Sequence, residues 1–338
     1  MKTIDLKVNT TVSLFSNLKN ELGGTLTSKL NEYELIFNGD FGHGIVKGIK
    51  MPNNITFLEF DAEFNTDIHL KIEGSKNSII NFLYCNKGKL SHAFGEQTPK
   101  HTLETFQTGI SANIVTESNT LCFYKGIQTN ATIISVNTFM QDATICSSNA
   151  MLYETFLKDK KEDYLHLGSY NLKITEYIKQ LNAIKQEGVV KLLLTEGLIN
   201  LILALEVEQH KLDVQKNQDA FGTLTKSEIS DIKELSDYIN NYPETNIGVN
   251  ALCAKIGLSP VKVQEGFKLM HGKTLNEYIR YVRVKKSEDL IKTTDLNISE
   301  IVYTLGLSSR SYFSHIFKDM YNCSPSEYRQ KNRLAATA

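Results

Sequence analysis

The feature that most constrains the fold of this sequence is an internal repeat in its C-terminal third. VNALCAKIGLS at 249–259 matches ISEIVYTLGLS at 298–308, and Phe267-Lys268 then matches Phe317-Lys318. Each copy is typical of a helix, a glycine turn, a serine cap and a second helix, because glycine permits a tight turn and serine favours a helix start. Two copies in register predict helix-turn-helix units at about 249–271 and 298–320, with the second helix of each entering the major groove of DNA.

The segment between the copies, Thr274 to Thr293, predicts one long helix. Roughly 20 residues at 1.5 Å each would span about 30 Å. Successive major grooves on one face of DNA lie roughly 34 Å apart. A rigid helix of this length would hold two recognition helices in adjacent grooves.

Helix-start signals recur throughout this region. Thr225-Lys-Ser-Glu228 is a capping box, in which the Thr oxygen accepts from a backbone amide and the Glu reaches back to another. Thr274–Glu277 and Ser324–Glu327 repeat it, and Asn297–Glu300 is an Asn variant. Six or seven short helices are therefore expected from Thr225 to Arg333.

The net charge of −1 hides a local asymmetry. From position 262 to the end there are 13 Lys and Arg against 8 Asp and Glu, an excess of five positive charges. A basic end on a nearly neutral chain predicts one domain that meets an anion and one that does not.

Residues from about Thr225 to Arg333 resemble the DNA-binding domain of AraC-family transcription regulators. The resemblance is carried by GLSSRSYFSHIFKDMYNCSPSEYR at 306–329 and by the paired repeat before it. It implies seven helices at 225–333, with two helix-turn-helix units joined by a long helix. It also implies a cupin-like sensing region at the N-terminal end, where FGHGIVKGI at 41–49 looks like the pyochelin-responsive regulators.

The second recognition helix interleaves two kinds of residue. Its apolar residues predict a buried face, since they recur at helical spacing; they are Tyr312, Phe313, Ile316 and Phe317. Its polar face, at positions that match base-facing positions of the family, predicts base contacts by Arg310, Ser311, Ser314 and His315. Arg310 would grip guanine in a bidentate manner or, alternatively, contact phosphate, while Ser309 would only cap the helix.

The corresponding positions in the first recognition helix are Pro260, Val261, Gln264 and Glu265. Gln264 can read adenine, and Val261 can touch a thymine methyl group. Glu265 would either accept from cytosine or repel phosphate. Gly266 costs about 1 kcal/mol against Ala inside a helix, so either close packing requires it or this helix is soft. Basic residues near both helices are candidates for phosphate contacts, with solvent exposure alone as the alternative; they are Lys262, Lys268, Arg280, Arg283, Lys285, Lys286 and Lys318.

Residues 1–148 predict a cupin-like β-sandwich or barrel. Segments such as ITFLEFDAEF at 55–64 and IINFLYC at 79–85 are aromatic and β-branched, and Gly- and Asn-rich turns separate them. From 149 to 216 the pattern becomes helical and predicts a segment that dimerises the chain. The polar stretch from Glu208 to Gly222 predicts a linker or, alternatively, the fraying end of the preceding helix. The apolar run from Val189 to Val207 contains Lys191, Glu196 and Glu206, which favours a buried or dimer-forming helix over a membrane span.

Aromatic residues in the strands suggest a pocket for a small-molecule effector, with ordinary core packing as the alternative; these residues are Phe82, Tyr84, His92, Phe94 and Phe106. His92 and His101 with Glu96 or Glu104 form the one group with a metal-site composition, and the lack of His-x-His argues against a metal. No cofactor is therefore expected. The five cysteines are scattered and form no Cys-x-x-Cys, and the N-terminus lacks a signal-peptide core. Both features predict a protein of the reducing cytoplasm with free thiols.

The sequence therefore predicts an α+β multidomain, non-enzymatic transcription regulator. It would bind double-stranded DNA as a homodimer, sense a small molecule and, as an activator, contact RNA polymerase; no membrane partner is expected. Two alternatives stay open at this point. One is a cupin-fold enzyme fused to a DNA-binding domain, and the other is a ligand-independent or architectural DNA-binding protein.

Overall fold

The computed structural model of this chain describes residues 1–7, 10–73, 78–95, 100–139, 148–215, 224–245, 248–307 and 309–336. The chain forms two compact units, Met1–Gln218 and Asp219–Ala338. The first is rich in β-structure and the second is helical, which confirms the predicted fold class.

The strands of the first unit are β1 Lys2–Lys7, β2 Thr25–Lys29, β3 Glu32–Gly39, β4 Gly42–Lys50, β5 Ile55–Phe64, β6 Ile68–Glu73, β7 Ile79–Lys87, β8 Lys89–Phe94, β9 His101–Glu104, β10 Gln107–Ala112, β11 Ser118–Phe123, β12 Thr129–Asn137 and β13 Tyr164–Tyr170. Its helices are α1 Thr11–Leu22, α2 Ser148–Phe156, α3 Leu172–Asn182 and α4 Gly188–Gln215.

Two sheets face each other in this unit. One has the order β1-β6-β11-β8-β9 and the other β13-β10-β7-β12-β5-β4-β3-β2. Buried residues of both sheets, such as Phe60, Leu70, Phe123 and Ile133, belong to one hydrophobic core. Helix α1 adds Phe15 to this core, and burial of such side chains is the main stabilising term.

Two predictions for the first unit need correction. Residues 149–216 are not wholly helical, because β13 lies within them and pairs antiparallel with β10. The predicted linker from Glu208 is helical as far as Gln215, as a continuation of α4. Asp213 explains this extension, since its carboxylate accepts hydrogen bonds from Ser169 N at 2.8 Å and Gln209 Nε2 at 2.9 Å.

The second unit consists, over its described residues, of α5 Lys226–Asn241, α6 Val249–Lys255, α7 Pro260–His271, α8 Leu275–Thr293, α9 Ile298–Thr304, α10 Arg310–Tyr321 and α11 Pro325–Ala336. The capping boxes at Thr225, Thr274 and Asn297 are formed, with both reciprocal bonds present. Ser324 and Glu327 also exchange both bonds. The local signals therefore located these helix starts correctly.

Helix α8 is the long connection predicted between the two repeats. Its 19 residues span about 28 Å at 1.5 Å per residue. Helices α7 and α10 both pack against it. A core that includes Val284 and Ile291 of α8 holds Phe313 and Phe317 of α10. Each recognition helix is thus fixed to the same rigid element.

Candidate DNA interface and ligand cavity

The two helix-turn-helix turns have the same backbone construction. Gly257 and Gly306 have φ angles of 67° and 65°, a region that L-residues rarely adopt. In the first turn Leu258 N donates to Cys253 O at 3.1 Å, and in the second Leu307 N donates to Val302 O at 3.0 Å. This Schellman pattern ends the first helix of each unit and directs the chain into the recognition helix.

The recognition helices α7 and α10 begin at equivalent serine caps. Ser259 Oγ accepts from Lys262 N, and Ser309 Oγ accepts from Tyr312 N at 3.2 Å. The N-cap of α10 is therefore Ser309, as predicted. The repeat alignment had instead matched Ser308 with Ser259. Ser308 itself lies outside the described residues.

The predicted base-contact residues lie on the accessible face of each helix. Arg310, Ser311 and His315 are exposed and Ser314 is partly exposed, while Phe313 and Phe317 are fully buried. In α7, Pro260 and Val261 are exposed, and Gln264 and Glu265 are partly exposed. The 3.6-residue period places these four positions of each helix on one side.

Tyr312 was predicted to be a core residue, and this prediction is wrong. Its side chain is 44% exposed. The Arg280 guanidinium lies 5.7 Å from its ring centroid. Tyr312 follows the apolar period only at its edge, so it borders the polar face and forms a cation–π contact with α8.

Two base-contact candidates have their orientation set by neighbours that the sequence did not single out. His315 Nδ1 lies 2.9 Å from Asp319 Oδ2, one helical turn further on, which leaves Nε2 directed away from that partner. Gln264 Oε1 accepts from Leu275 N at 3.1 Å, which leaves its amide donor for other contacts.

Five of the seven phosphate candidates are exposed; these are Lys268, Arg280, Lys285, Lys286 and Lys318. The other two are engaged within the domain. Lys262 forms an ion pair of 2.5 Å with Glu228 at the start of α5. The half-buried Arg283 donates to Pro243 O at 2.8 Å and Thr245 O at 3.1 Å. Lys262 thus ties α7 to α5, and Arg283 ties α8 to the loop at Pro243 and Thr245.

Gly266 is explained by close packing. A Cβ atom built at this position overlaps Ile232 Cδ1 and lies 3.0 Å from Ile232 Cγ1. Ile232 is fully buried on α5. The glycine therefore lets α7 approach α5 closely, which decides between the two explanations offered by the sequence.

A carboxylate anchors the second repeat to α8. Glu288 accepts hydrogen bonds from Tyr321 Oη at 2.6 Å and Tyr328 Oη at 2.5 Å, and it pairs with Lys292 at 2.6 Å. Desolvation alone would raise the pKa of Glu288, but the three donors outweigh it and lower the pKa to about 2. In the first repeat, the neutral residues Ser236 and Asn240 contact Tyr278 Oη at 3.1 Å and 2.6 Å.

The first unit contains a cavity of about 290 Å³ between its two sheets. Apolar side chains line part of it, including Leu58, Leu83 and Ile133. Its polar lining includes His92, Asn113 and Asn119 on one side. A ligand cavity typically combines an apolar wall with a few placed polar groups, as this one does.

A row of polar residues crosses the opposite wall of the cavity. On adjacent strands of the eight-stranded sheet, Ser111 of β10 pairs with Asn81 of β7, and Asn81 pairs with Ser135 of β12. Ser135 in turn pairs with Thr56 of β5, and Thr56 pairs with Lys50 of β4. All five residues line the cavity, and no single segment of sequence contains more than one of them.

Of the predicted pocket residues, His92 lines this cavity and the other four do not. Phe82 packs edge-on against Phe156 of α2, at a centroid distance of 5.7 Å. Tyr84 Oη donates to Asn171 O at 2.8 Å at the start of α3. Successive side chains of a strand point to opposite faces, so Asn81 and Leu83, rather than their aromatic neighbours, face the cavity. Phe94 lies against the His92 ring, and Phe106 is core.

Among the described residues, no group of three or more His, Cys, Asp and Glu is placed to hold a metal ion. His92 and His101 are paired across β8 and β9, but His101 is exposed. Glu96, a member of the predicted group, lies outside the described residues.

Helix α4 exposes a continuous apolar strip. Val190, Leu194 and Leu201 are 51%, 41% and 38% exposed. Gly197 and Ala204 lie between and beyond them at alternating spacings of three and four residues, and both are exposed. By length and composition α4 could also cross a membrane, but one such helix is weak evidence for a membrane protein. It packs against α3 and β13 and buries Glu206.

Residues 252–331 match the family model described as a helix-turn-helix domain. The probable transcription factor PqrA of Proteus vulgaris is 31% identical over 91 residues, which are 27% of this chain and 75% of that protein. The chain belongs to the AraC family of transcription regulators. The resemblance found in the sequence is thereby confirmed for the family.

Two further similarities cover about the same share of this chain. The xylose operon regulatory protein of Escherichia coli (strain K12) is 33% identical over 95 residues, 28% of this chain and 24% of that protein. The match thus spans about a quarter of that relative's length. A crystal structure described as a probable AraC family transcriptional regulator from Rhodopseudomonas palustris CGA009 shares 21% identity with a TM-score of 0.29, covering 30% of this chain and 97% of that one.

Proposed function

We propose that this AraC-family chain is a sequence-specific DNA-binding transcription regulator that places two recognition helices in adjacent major grooves. The observation that carries the proposal is the shared attachment of α7 and α10 to α8, each with its polar face accessible. The length of α8, about 28 Å, is comparable to the roughly 34 Å groove repeat.

The second recognition helix reads more strongly in this proposal. Arg310 supplies a bidentate donor for guanine, a contact worth about 1–3 kcal/mol of discrimination. Ser311, Ser314 and the Nε2 of His315 supply further groove contacts. In α7, the amide of Gln264 reads adenine and Val261 contacts a thymine methyl group, while Pro260 and Glu265 border them. Phosphate contacts come from the exposed lysines and Arg280, because these side chains are not engaged in the described ion pairs.

The apolar strip on α4 is proposed to pair with the same strip of a second chain. Val190, Leu194, Gly197, Leu201 and Ala204 follow the 3–4 spacing of a helix pair, and the two small residues permit close approach. A homodimer of this kind would place two pairs of recognition helices on neighbouring DNA sites. Gly197→Glu would put a charge in the seam, and analytical ultracentrifugation should then show a monomer; Lys185→Glu, exposed before α4, is the matched control.

The first unit is proposed to sense a small molecule and to bias the second. Such coupling requires a ligand that binds two arrangements of the chain with different affinity. This function requires no catalysis and places the protein in the cytoplasm with its DNA; as an activator it would contact RNA polymerase. The narrower resemblance to pyochelin-responsive regulators stays a prediction.

The function is tested by incubating the full-length chain with sheared DNA of its own genome at about physiological salt, where phosphate-driven binding alone is weak. Sequencing of the retained DNA should give a few enriched sites, each with two short boxes about one helical turn apart. Arg310→Ala should retain these sites poorly and relax the sequence preference at one base position, while Lys286→Ala should keep the same sequence preference at lower yield. Uniform recovery of genomic DNA by the wild-type chain would refute sequence-specific regulation.

A further inference from the structure

The polar wall of the cavity contains a chain of side-chain amides whose directions are fixed. Asn113 Nδ2 donates to Ser118 O at 3.2 Å and to Thr116 Oγ1 at 3.1 Å, so its oxygen must accept. Asn119 Nδ2 donates to that oxygen at 2.5 Å. The oxygen of Asn119 is then left to accept from His92 Nε2, at 2.8 Å. Each step follows from the one before, because a backbone carbonyl can only accept.

This chain of bonds determines which hydrogen-bonding role His92 offers to the cavity. Since Nε2 carries the proton, Nδ1 of the neutral ring is an acceptor with a free lone pair. His92 is 1% exposed, and no described residue hydrogen bonds to Nδ1. Burial lowers the pKa of His92 to about 4 despite its hydrogen bond to Asn119, so the ring is neutral near pH 7.

Ser111 on the opposite wall has a second unused polar atom. Its side chain is fully buried, and no described residue hydrogen bonds to its Oγ. His92 and Ser111 both line the cavity, and each has a buried polar atom without a described partner, which costs about 1–3 kcal/mol. A bound molecule that reaches these two atoms would remove that cost. A hydroxyl can accept or donate, whereas His92 Nδ1 requires a donor.

The charges around the cavity restrict the ligand further. Among the described lining residues, the charged ones are Lys50 and Glu73, and both are exposed. The buried polar lining among the described residues consists of Thr11, His92, Ser111 and Asn113, which are all uncharged. An ionised ligand would therefore lose its hydration without a buried counter-charge.

Size gives the last restriction. A volume of about 290 Å³ corresponds to roughly ten water molecules at about 30 Å³ each. Molecules of about ten to fifteen non-hydrogen atoms occupy such a space. The apolar wall of Leu58, Leu83 and Ile133 requires a carbon face in addition to polar hydrogens.

We propose that the effector is a small uncharged molecule rich in hydroxyl or amide donors, held by a donor to His92 Nδ1 and by Ser111 Oγ, with its carbon face on the leucine and isoleucine wall. This inference rests on the proposed sensing role of the first unit. It excludes carboxylates, phosphates and amines as the molecule that fills the inner cavity.

The test uses the full-length chain and a panel of molecules with eight to fifteen non-hydrogen atoms in four equal groups. These are neutral polyols and primary amides, carboxylates, amines, and neutral molecules without polar hydrogens; glucose, gluconate and glucosamine provide a matched set. Saturation-transfer NMR identifies the binders, and ¹⁵N-histidine spectra report on His92. Binders should come from the first group and should shift the Nδ1 resonance of His92 in the direction of an accepted hydrogen bond.

Ser111→Ala should weaken the best binder about three- to tenfold without lowering the melting temperature, because the hydroxyl has no described protein partner to lose. Ser91→Ala is the control. Ser91 Oγ bonds to Thr102 Oγ1 and Tyr124 Oη, so this variant should lower stability and leave affinity unchanged. Binding by charged members, no binder at all, or unchanged affinity in Ser111→Ala would overturn the proposal. Genomic-DNA selection is a separate readout, so loss of specific DNA sites would refute the regulator and not the ligand class.

Discussion

Replacing the two turn glycines separately should destabilise the protein by different amounts. Gly257 and Gly306 share nearly the same φ angle, so Ala at either position adopts the same unfavourable backbone conformation. Their surroundings differ. A Cβ at Gly257 meets nothing within 4 Å, whereas one at Gly306 overlaps the carbonyl oxygen of Glu244 and lies 3.1 Å from its carbon.

The magnitudes follow from these two contributions. A non-glycine residue in the left-handed region costs about 1–2 kcal/mol. Reduced freedom of the unfolded chain offsets about 0.4–1 kcal/mol of this. Gly257→Ala should therefore cost about 1 kcal/mol. Gly306→Ala adds an overpacking cost of about 1–3 kcal/mol, because a backbone carbonyl must move.

The neighbouring structure resists that movement. Thr245, which follows Glu244, has its carbonyl held by Arg283 at 3.1 Å. Gly306→Ala should thus lower the free energy of unfolding by about 2–4 kcal/mol in total. At roughly 4 °C per kcal/mol for a domain of this size, the two melting temperatures should differ by about 4–12 °C.

The assay is calorimetric unfolding of the full-length chain, with urea unfolding as a second measure. Asn tolerates positive φ better than Ala, so Gly257→Asn should be nearly neutral while Gly306→Asn stays costly. Equal losses for the two Ala variants, within about 0.5 kcal/mol, would refute the placement of Glu244 against the second turn.

Three further predictions concern packing, pH and DNA. Gly266→Ala should destabilise by about 1–2 kcal/mol despite its better helix propensity. In an Ile232→Val background, which lacks the overlapping Cδ1 but keeps both γ carbons about 3.0 Å from the new Cβ, this loss should become smaller, and a urea double-mutant cycle measures the coupling. The folded pKa of Glu288 is depressed to about 2 from 4.5, so its stabilising contribution is complete above about pH 4.5 and is lost as the pH falls toward 2. In urea unfolding measured at several pH values, the stability difference between wild type and Glu288→Gln should therefore shrink over that window. A constant difference would contradict the hydrogen bonds assigned to Glu288. On a selected DNA site, Arg310→Ala should cost about 1–3 kcal/mol and relax one base position, whereas Lys318→Ala should weaken all sequences alike and reduce the salt slope by about 1; fluorescence titrations at several salt concentrations separate the two, and the reverse pattern would exchange their roles.

Local signals in the sequence predicted most of the second unit. A capping box or a glycine turn involves residues within four or five positions of each other, so Thr225–Glu228 and Leu307–Val302 can be read without knowledge of the fold. Tyr312 and Arg283 could not be read in this way. Their environments depend on Arg280 and on the loop at Pro243, which are about thirty and forty residues away in the chain.

The cavity was largely beyond sequence reasoning for a different reason. Strand β7 is buried on both faces, so its hydrophobic pattern does not alternate and does not show which face meets the other sheet. The row of Ser111, Asn81 and Ser135 arises from strand register, and each member is an ordinary residue in its own segment. Of the predicted pocket residues, only His92 lines the cavity.

The central claim is that α8 holds two recognition helices in consecutive major grooves. Hydroxyl-radical and methylation-protection footprinting of the full-length chain on one selected site tests it most directly. We predict protection of two major-groove segments centred about 10–10.5 base pairs apart on one face of the DNA, with Arg310→Ala losing protection of the one guanine that Arg310 contacts and retaining the segment read by α7. Protection of a single groove, or two segments whose separation follows a 5-base-pair insertion between the boxes without loss of affinity, would contradict a rigid two-helix reader.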